Sequence, residues 1–244
     1  MEIRICNTSE DLGRSAAKHI AQVLRDAISE KGSARIVLST GASQFDTLKA
    51  LVEEPGICWD CVEMFHLDEY VGLPESHGAS FRKYLKERFV AKVGKLKAAH
   101  FVDGTADCIA RLTEEVRREP IDIGLIGIGE NGHIAFNDPP ADFDTKEAYI
   151  IVDLNERCKQ QQMGEGWFAT IDDVPKQAVS MTAYQIMLCR RIVSCVPYAV
   201  KAEAVRNTLF ATETTNTVPA TLLKEHADFI LYLDTDSAAE ILKF

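Results

Sequence analysis

Three stretches of the sequence set groups capable of proton transfer or anion binding beside turn-forming residues. The most specific is IDIGLIGIGENGHIAFNDPP, residues 121–140, in which a β-branched run leads through Gly127, Gly129 and Gly132 to His133, with Asn131, Asn137 and Asp138 close by. A histidine between a glycine turn and a nearby carboxylate suits a base whose tautomer is fixed by its neighbours. The plainer alternative is a structural histidine. The glycines have the spacing of a dinucleotide fingerprint but run into a Pro-terminated loop, and no strand ending in an acidic residue follows about 20 positions on, so that motif is not met. The second stretch, after VEMFHL, is Asp68-Glu69-Tyr70-Val71-Gly72-Leu73. Apolar surroundings penalise ionisation and raise the pKa of an inward carboxylate, which suits an acid-base role at the carbonyl-bearing end of a sugar. Equally open is that Asp68 caps the turn and Glu69 is solvated. The third, Ser39-Thr40-Gly41-Ala42-Ser43, lies between the run RIVLS and a helical segment. Small residues there let backbone N–H groups and a helix start converge on an anion such as phosphate. The alternative is a turn with Ser43 as N-cap and Asp46 completing a capping box.

Other residues are read more plainly. Cys58 and Cys61 form a C-x-x-C that precedes a strand and has no second pair, so neither a redox role nor a zinc site follows from it. His66 shares a strand face with Asp68 and is expected to be a hydrogen-bonded core histidine. His77 belongs to a stretch suited to a mobile cover, and Trp167 and Phe168 are read first as packing aromatics. Arg111, Arg117 and Arg118, with Glu114, Glu115 and Glu119, read as a solvated helix face.

Positioning such loops is the work of the elements around them. Short β-branched runs alternate with segments of helical periodicity, which is the pattern of a doubly wound α/β fold: a mainly parallel sheet flanked by helices in a Rossmann-like three-layer sandwich. Strands are expected at 2–6, 35–39, 62–67, 100–102, 121–128, 148–152, 191–196 and 229–233. Helices are expected from Ser9, as cap, to Gly32, and at 44–53, 80–93, 107–118, 201–210 and 237–243. No repeat or long linker interrupts the alternation, so residues 1–244 read as one domain. In such sheets ligands sit beyond the carboxyl ends of the strands, where all three loops fall.

Composition bounds the partners. The chain has 244 residues with 27 Lys+Arg against 37 Asp+Glu, a net charge of −10, which opposes nucleic-acid or anionic-membrane binding. Any anion must be met locally. Seven cysteines, an odd number, argue against a disulfide framework. The first residues lack a basic stretch followed by an apolar one, and no run approaches the ~20 apolar residues that span a bilayer, so a cytoplasmic protein is expected.

The three loops, in this order, resemble the glucosamine-6-phosphate deaminase/isomerase family, which shares its fold with the 6-phosphogluconolactonases. The resemblance runs from LSTGAS through FHLDEYVGL and LIGIGENGHIAFNDP to DDVPKQAVSMT and VKAEAV. LDEYVGL and GHIAFN resemble the deaminase branch, since lactonases usually carry an arginine at the position of Tyr70. The resemblance implies that an amino-sugar 6-phosphate is isomerised and deaminated to a ketose 6-phosphate and ammonia. Asp68 would move the proton from C2 to C1, and His133 would open the ring, oriented by Asn131 and Asp138. Thr40, Gly41, Ala42, Ser43 and Lys201 would hold the phosphate. It implies neither metal nor organic cofactor, a small-molecule amino-sugar phosphate as partner, and a monomer or homodimer. Lactone hydrolysis and a non-catalytic sugar-phosphate sensor are the alternatives.

Three departures from the family's pattern stand out. Ala42 and Ser43 replace Gly-Thr, and Asp138 replaces a Glu, so that either its loop moves inward or a water bridges to His133. No arginine stands in GEGWF to act as a second phosphate ligand, a role left to Lys159, Gln160, Gln161 or Gln162.

Overall fold

The computed structural model describes residues 1–164 and 166–243, with side chains for all of these except Ala106, Arg157 and Gln161. Glu165 and the Gln161 side chain, both within segments singled out above, lie outside the described residues. In chain order the elements are β1 (Glu2–Cys6), α1 (Ser9–Lys31), β2 (Ala34–Leu38), α2 (Phe45–Glu53), β3 (Val62–His66) and β4 (Asp68–Tyr70). Then come α3 (Phe81–Leu85), continuing through a π-wound turn into α4 (Ala91–Val93), β5 (Ala98–His100), α5 (Ala106–Arg117), β6 (Ile123–Leu125) and β7 (Tyr149–Asp153). The last are α6 (Glu156–Gly164), β8 (Gln177–Met181), α7 (Ala183–Met187), β9 (Ile192–Val196), α8 (Ala202–Phe210) and β10 (Phe229–Asp234).

Seven strands form one sheet in the order β1-β10-β9-β6-β2-β3-β5, and every pairing in it is parallel. From β2 the chain winds outward to β3 and β5, then returns to β6 on the other side of β2 and winds outward through β9. The reversal between β2 and β6 opens a crevice at their carboxyl ends. Both faces of the sheet are buried, and the twofold period of a strand sorts residues between them. Ile36, Leu38, Val62 and Met64 join the core beneath α1 and α2, whereas Val37 and Phe65 face the core on the opposite side.

α1 shows how sequence sets this layer. Its cap is Thr8, in extended conformation, whose hydroxyl accepts from Asp11 N, and Gly32 closes the helix with φ 78°. The expected cap, Ser9, is instead the first helical residue, because a cap must sit outside helical geometry for its side chain to reach back to the free N–H groups. Leu12, Ala16, Ile20 and Leu24 are buried on one stripe. Each buried Leu or Ile contributes roughly 1.5–3 kcal/mol. Gly13 lies on the same stripe where α1 crosses α2, so close that a Cβ there would meet the Asp46 carbonyl carbon at 2.6 Å.

Some expected elements differ. The run 121–128 forms a ladder only over β6, and the expected strand at 100–102 lies two residues earlier as β5. Residues 235–243 form successive turns rather than a helix, with Asp234 and Ser237 bonded to each other's backbone N–H, a local alternative to helical pairing. A second, antiparallel sheet, β4-β8-β7, was not expected, because Asp68-Glu69-Tyr70 reads as a polar loop. Among the described residues no helix is long and apolar enough to cross a membrane.

The Gly13 contact generates a test. Gly13→Ala is expected to force α1 and α2 apart and lower stability by about 1–3 kcal/mol, read as a lower urea midpoint. An unchanged midpoint would show that the two helices part freely.

Candidate active site

The carboxyl ends of β2, β3, β6 and β9 surround a cleft of about 870 Å³, its solvent mouth included. Thr40, Gly41, Ala42 and Ser43 form one wall, Asp68 and His133 face the interior, and Lys201 closes the side next to the turn. Four separate stretches of sequence thus meet in one cavity. Asn131 and Asp138 do not line it but stand behind His133.

The wall at 40–43 depends on Gly41, whose φ of 99° is one that residues with a Cβ rarely adopt. Its carbonyl accepts from Gln44 N at 3.1 Å and from the Tyr84 hydroxyl at 3.0 Å, which turns that oxygen toward the protein. Ala42 begins a 3-10 turn over Ala42–Gln44 that runs directly into α2. Ser43 is therefore not a helix cap; its hydroxyl accepts from the Gln44 amide, which also donates to the Cys195 carbonyl at the end of β9. Lys201, buried at 7% exposure, ends a 3-10 turn entered through Tyr198. Tyr198 has φ 81°, a costly conformation for a residue with a side chain, and its N–H is held by Asp234 Oδ2 at 2.9 Å. Two anchored turns, one from β2 and one from β9, thereby border the same cleft and bring backbone N–H groups and a lysine to it, an arrangement suited to a phosphate.

Asp68 and Glu69 are adjacent but have opposite surroundings. Glu69 is fully buried, and its carboxylate accepts from the N–H groups of Tyr70, Phe81 and Arg82, from the Ser80 hydroxyl and from Arg82 Nε. It is neither solvated nor directed at the cleft; it fastens the start of α3. Asp68 faces the cleft, and burial, with the charge of Glu69 beside it, pushes its carboxyl up to about 8. It is therefore poised to exchange a proton near neutral pH.

His133 is oriented from behind. Asn131 Nδ2 donates to Asp138 Oδ1 at 3.0 Å, which leaves the Asn131 carbonyl to accept from His133 N at 3.1 Å and from Nδ1 at 2.6 Å. Asp138 Oδ1 lies 3.2 Å from the same Nδ1. The proton therefore resides on Nδ1, and the Nε2 lone pair is left for chemistry. Burial acts to raise the Asp138 carboxyl, but His133 and Asn131 outweigh it and hold the group below its ordinary value. The shorter side chain of Asp138 reaches the imidazole directly, so its loop lies inward. The ring rests on Gly129, where a Cβ would fall 2.1 Å from Cε1 and 2.2 Å from Nε2.

Several residues of the cleft escaped the sequence reading. Tyr198 follows the end of β9 by two residues, and the strand-end rule alone would have flagged it. Phe81 also lines it, without a motif to mark it, and Glu130 and Phe136 line it from within the 121–140 stretch. Of the proposed replacements for an arginine, Gln162 reaches the cleft, and its Oε1 accepts from the Tyr70 hydroxyl at 2.6 Å. Phe168 packs edge-on against Tyr70, and His77 stacks on Phe168. His66 is buried, but among the described residues neither ring nitrogen has a hydrogen-bond partner, and burial keeps it neutral with its pKa lowered to about 3. Arg118 reaches past its helix to the buried Glu63 at 2.6 Å, so it is more than part of a solvated face.

Residues 7–231 match the family of glucosamine-6-phosphate isomerases and 6-phosphogluconolactonase. The chain is 32% identical to glucosamine-6-phosphate deaminase 1 of Bacillus subtilis, over 98% of this chain and 99% of that one. It is 32% identical to glucosamine-6-phosphate deaminase 2 of Giardia intestinalis, over 96% and 89% of the two chains. Among solved structures, a monomeric glucosamine-6-phosphate deaminase superposes with a TM-score of 0.87 at 30% identity, covering 98% of this chain and all of that one. A 6-phosphogluconolactonase from Shewanella baltica, 17% identical over 96% and 97% of the two chains, shares the fold with a TM-score of 0.76.

Two outcomes follow from the geometry. Gly129→Ala is expected to displace the imidazole and abolish activity while far-UV circular dichroism stays native; full activity would show that the ring does not need its seat. Asp68→Asn tests the raised carboxyl. Between the ordinary value of 3.8 and about 8 the unfolded chain releases this proton while the folded one keeps it, so wild-type stability falls as pH rises through that window. The stability of Asp68→Asn relative to wild type should therefore grow over that range in denaturant titrations, and a difference independent of pH would contradict it.

Proposed function

Because the chain belongs to the family of glucosamine-6-phosphate isomerases and 6-phosphogluconolactonases, we propose that it is an amino-sugar-6-phosphate deaminase of a single domain, acting on glucosamine 6-phosphate or its galacto isomer. The observation that carries this is the pairing of a buried, easily protonated Asp68 with a tautomer-fixed His133 in one cleft, with an anion-holding wall at its end.

In this reading the phosphate lies against the 40–43 turn and Lys201, which places the reacting end of the sugar at Asp68 and His133. His133 Nε2 takes the proton of the C1 hydroxyl and returns one to the ring oxygen, which opens the ring. Asp68, as carboxylate, takes the C2 proton and leaves an enolamine. Delivery of that proton to C1 gives the imine at C2, water adds there, and ammonia departs, leaving the ketose 6-phosphate. Each step is a proton transfer or the addition of water by placed side chains, so the reaction draws on neither metal nor organic cofactor. Gln162, tied to Tyr70 and facing the cleft, offers amide hydrogens to sugar hydroxyls where an arginine is missing. Of the two assemblies expected, likeness to a monomeric deaminase over the full length supports the monomer, and the same reading places the protein in the cytoplasm.

Incubation with each amino-sugar phosphate is expected to release ammonia and ketose phosphate from at least one, with kcat/KM rising through about pH 8 as Asp68 ionises. Asp68→Asn should lower kcat by roughly 10²–10⁴ with little change in KM. Release from neither sugar, or hydrolysis of 6-phosphogluconolactone in its place, overturns the proposal.

A further inference from the structure

At the other end of β3 from Asp68, the chain enters the strand through a one-turn 3-10 helix, Trp59–Cys61. Among the described residues, the ligand atoms of Cys58, Asp60 and Cys61 all lie within 4.8 Å of one another. We propose that these three side chains form a binding site for a thiophilic divalent cation of the zinc or cadmium kind, with a fourth position open to solvent.

The sequence shows only half a site, two thiols three residues apart. The structure adds a third donor. Cys58 Sγ lies 3.1 Å from Cys61 Sγ and 3.0 Å from Asp60 Oδ1, so two sulfurs and an oxygen converge on one point of the surface. Two thiolates and a carboxylate are a donor set that suits zinc, at roughly 2.3 Å to sulfur and 2.0–2.2 Å to oxygen. Around such an ion the sulfurs would stand roughly 3.8 Å apart. The pair must open by less than an ångström to admit it, and Cys58 is exposed and able to turn. The rest of the turn is already held. Cys61 N donates to Cys58 O at 2.9 Å, and the intervening Trp59 packs edge-on against Phe89 with ring centres 5.4 Å apart. Little backbone reorganisation therefore opposes binding, a condition that favours a small exposed site. None of the three residues belongs to the cleft, so the ion would be structural, joining the turn to the edge of β3.

The test uses the full chain, kept reduced, and cadmium chloride as the probe. Calorimetry is expected to show one equivalent bound, with a thiolate-to-cadmium absorption band growing in step. Cys58→Ser and Cys61→Ser should each abolish the band, whereas Cys6→Ser, at a half-buried cysteine elsewhere, should keep it. Asp60→Asn should weaken binding about tenfold or more, because it removes a charged oxygen ligand while leaving both thiols. Thermal melts without metal check that the variants fold. Absence of the band, its survival in the Cys58 or Cys61 variant, or unchanged affinity in Asp60→Asn overturns the three-ligand site.

Discussion

The buried carboxylate of Glu69 is the interaction on which the cleft depends. It collects three backbone N–H groups, the Ser80 hydroxyl and Arg82 Nε, and so joins the end of β4 to the start of α3. A buried charge with those partners is stable, and removing them would leave an uncompensated ion at a cost of about 3–5 kcal/mol. Because these donors are committed to Glu69, its neighbour Asp68 faces the cavity with its acidity weakened by burial and by that same fixed negative charge. One carboxylate is saturated with donors; the next faces the cleft with its pKa raised to about 8.

The same division recurs around the imidazole and the anion wall. Asn131 has one amide group, and its nitrogen is occupied by Asp138, so its oxygen must face His133 and the tautomer is decided. Gly41 presents its carbonyl to Tyr84 and Gln44, which leaves that oxygen turned from an incoming anion. Tyr198 holds a costly backbone conformation against Asp234 so that Lys201 turns into the cleft. In each case a second residue, outside the cavity or at its margin, fixes the orientation of the one inside it.

Much of this was legible in the sequence, for identifiable reasons. The parallel sheet announced itself through β-branched runs buried on both faces, and the three loops through small residues and paired polar groups at strand ends. Asp68, His133 and the 40–43 turn meet as expected because they follow β3, β6 and β2, neighbours in the sheet. What escaped depends on contacts between distant positions. β4 looks like a polar loop until Ser180 and Val179 of β8 are known to lie beside Asp68 and Glu69. Nothing local marks Tyr198 as left-handed, since the residue is not glycine and the restraint comes from Asp234, 36 positions away. Gly129 is conspicuous in the sequence, but the ring it accommodates is not.

Fold cannot decide the chemistry here, since deaminase and lactonase structures both superpose on the chain. Side chains such as Tyr70, where the resemblance implies an arginine in the lactonases, must carry the distinction. Its ring packs among Phe81, Phe136 and Phe168, and its hydroxyl is bound to Gln162, so the position is buried and aromatic. A guanidinium there would lose hydration that these rings replace only in part, and the adjacent Glu69 already has Arg82 as its ionic partner. The cleft therefore has a cationic side chain, Lys201, beside the 40–43 turn, whereas the surroundings of Tyr70 are aromatic. A cleft that can retain a proton on Asp68 and return it to carbon is consistent with that distribution. A cation beside Asp68 would favour its ionised form and weaken the basicity that removal of a C–H proton requires.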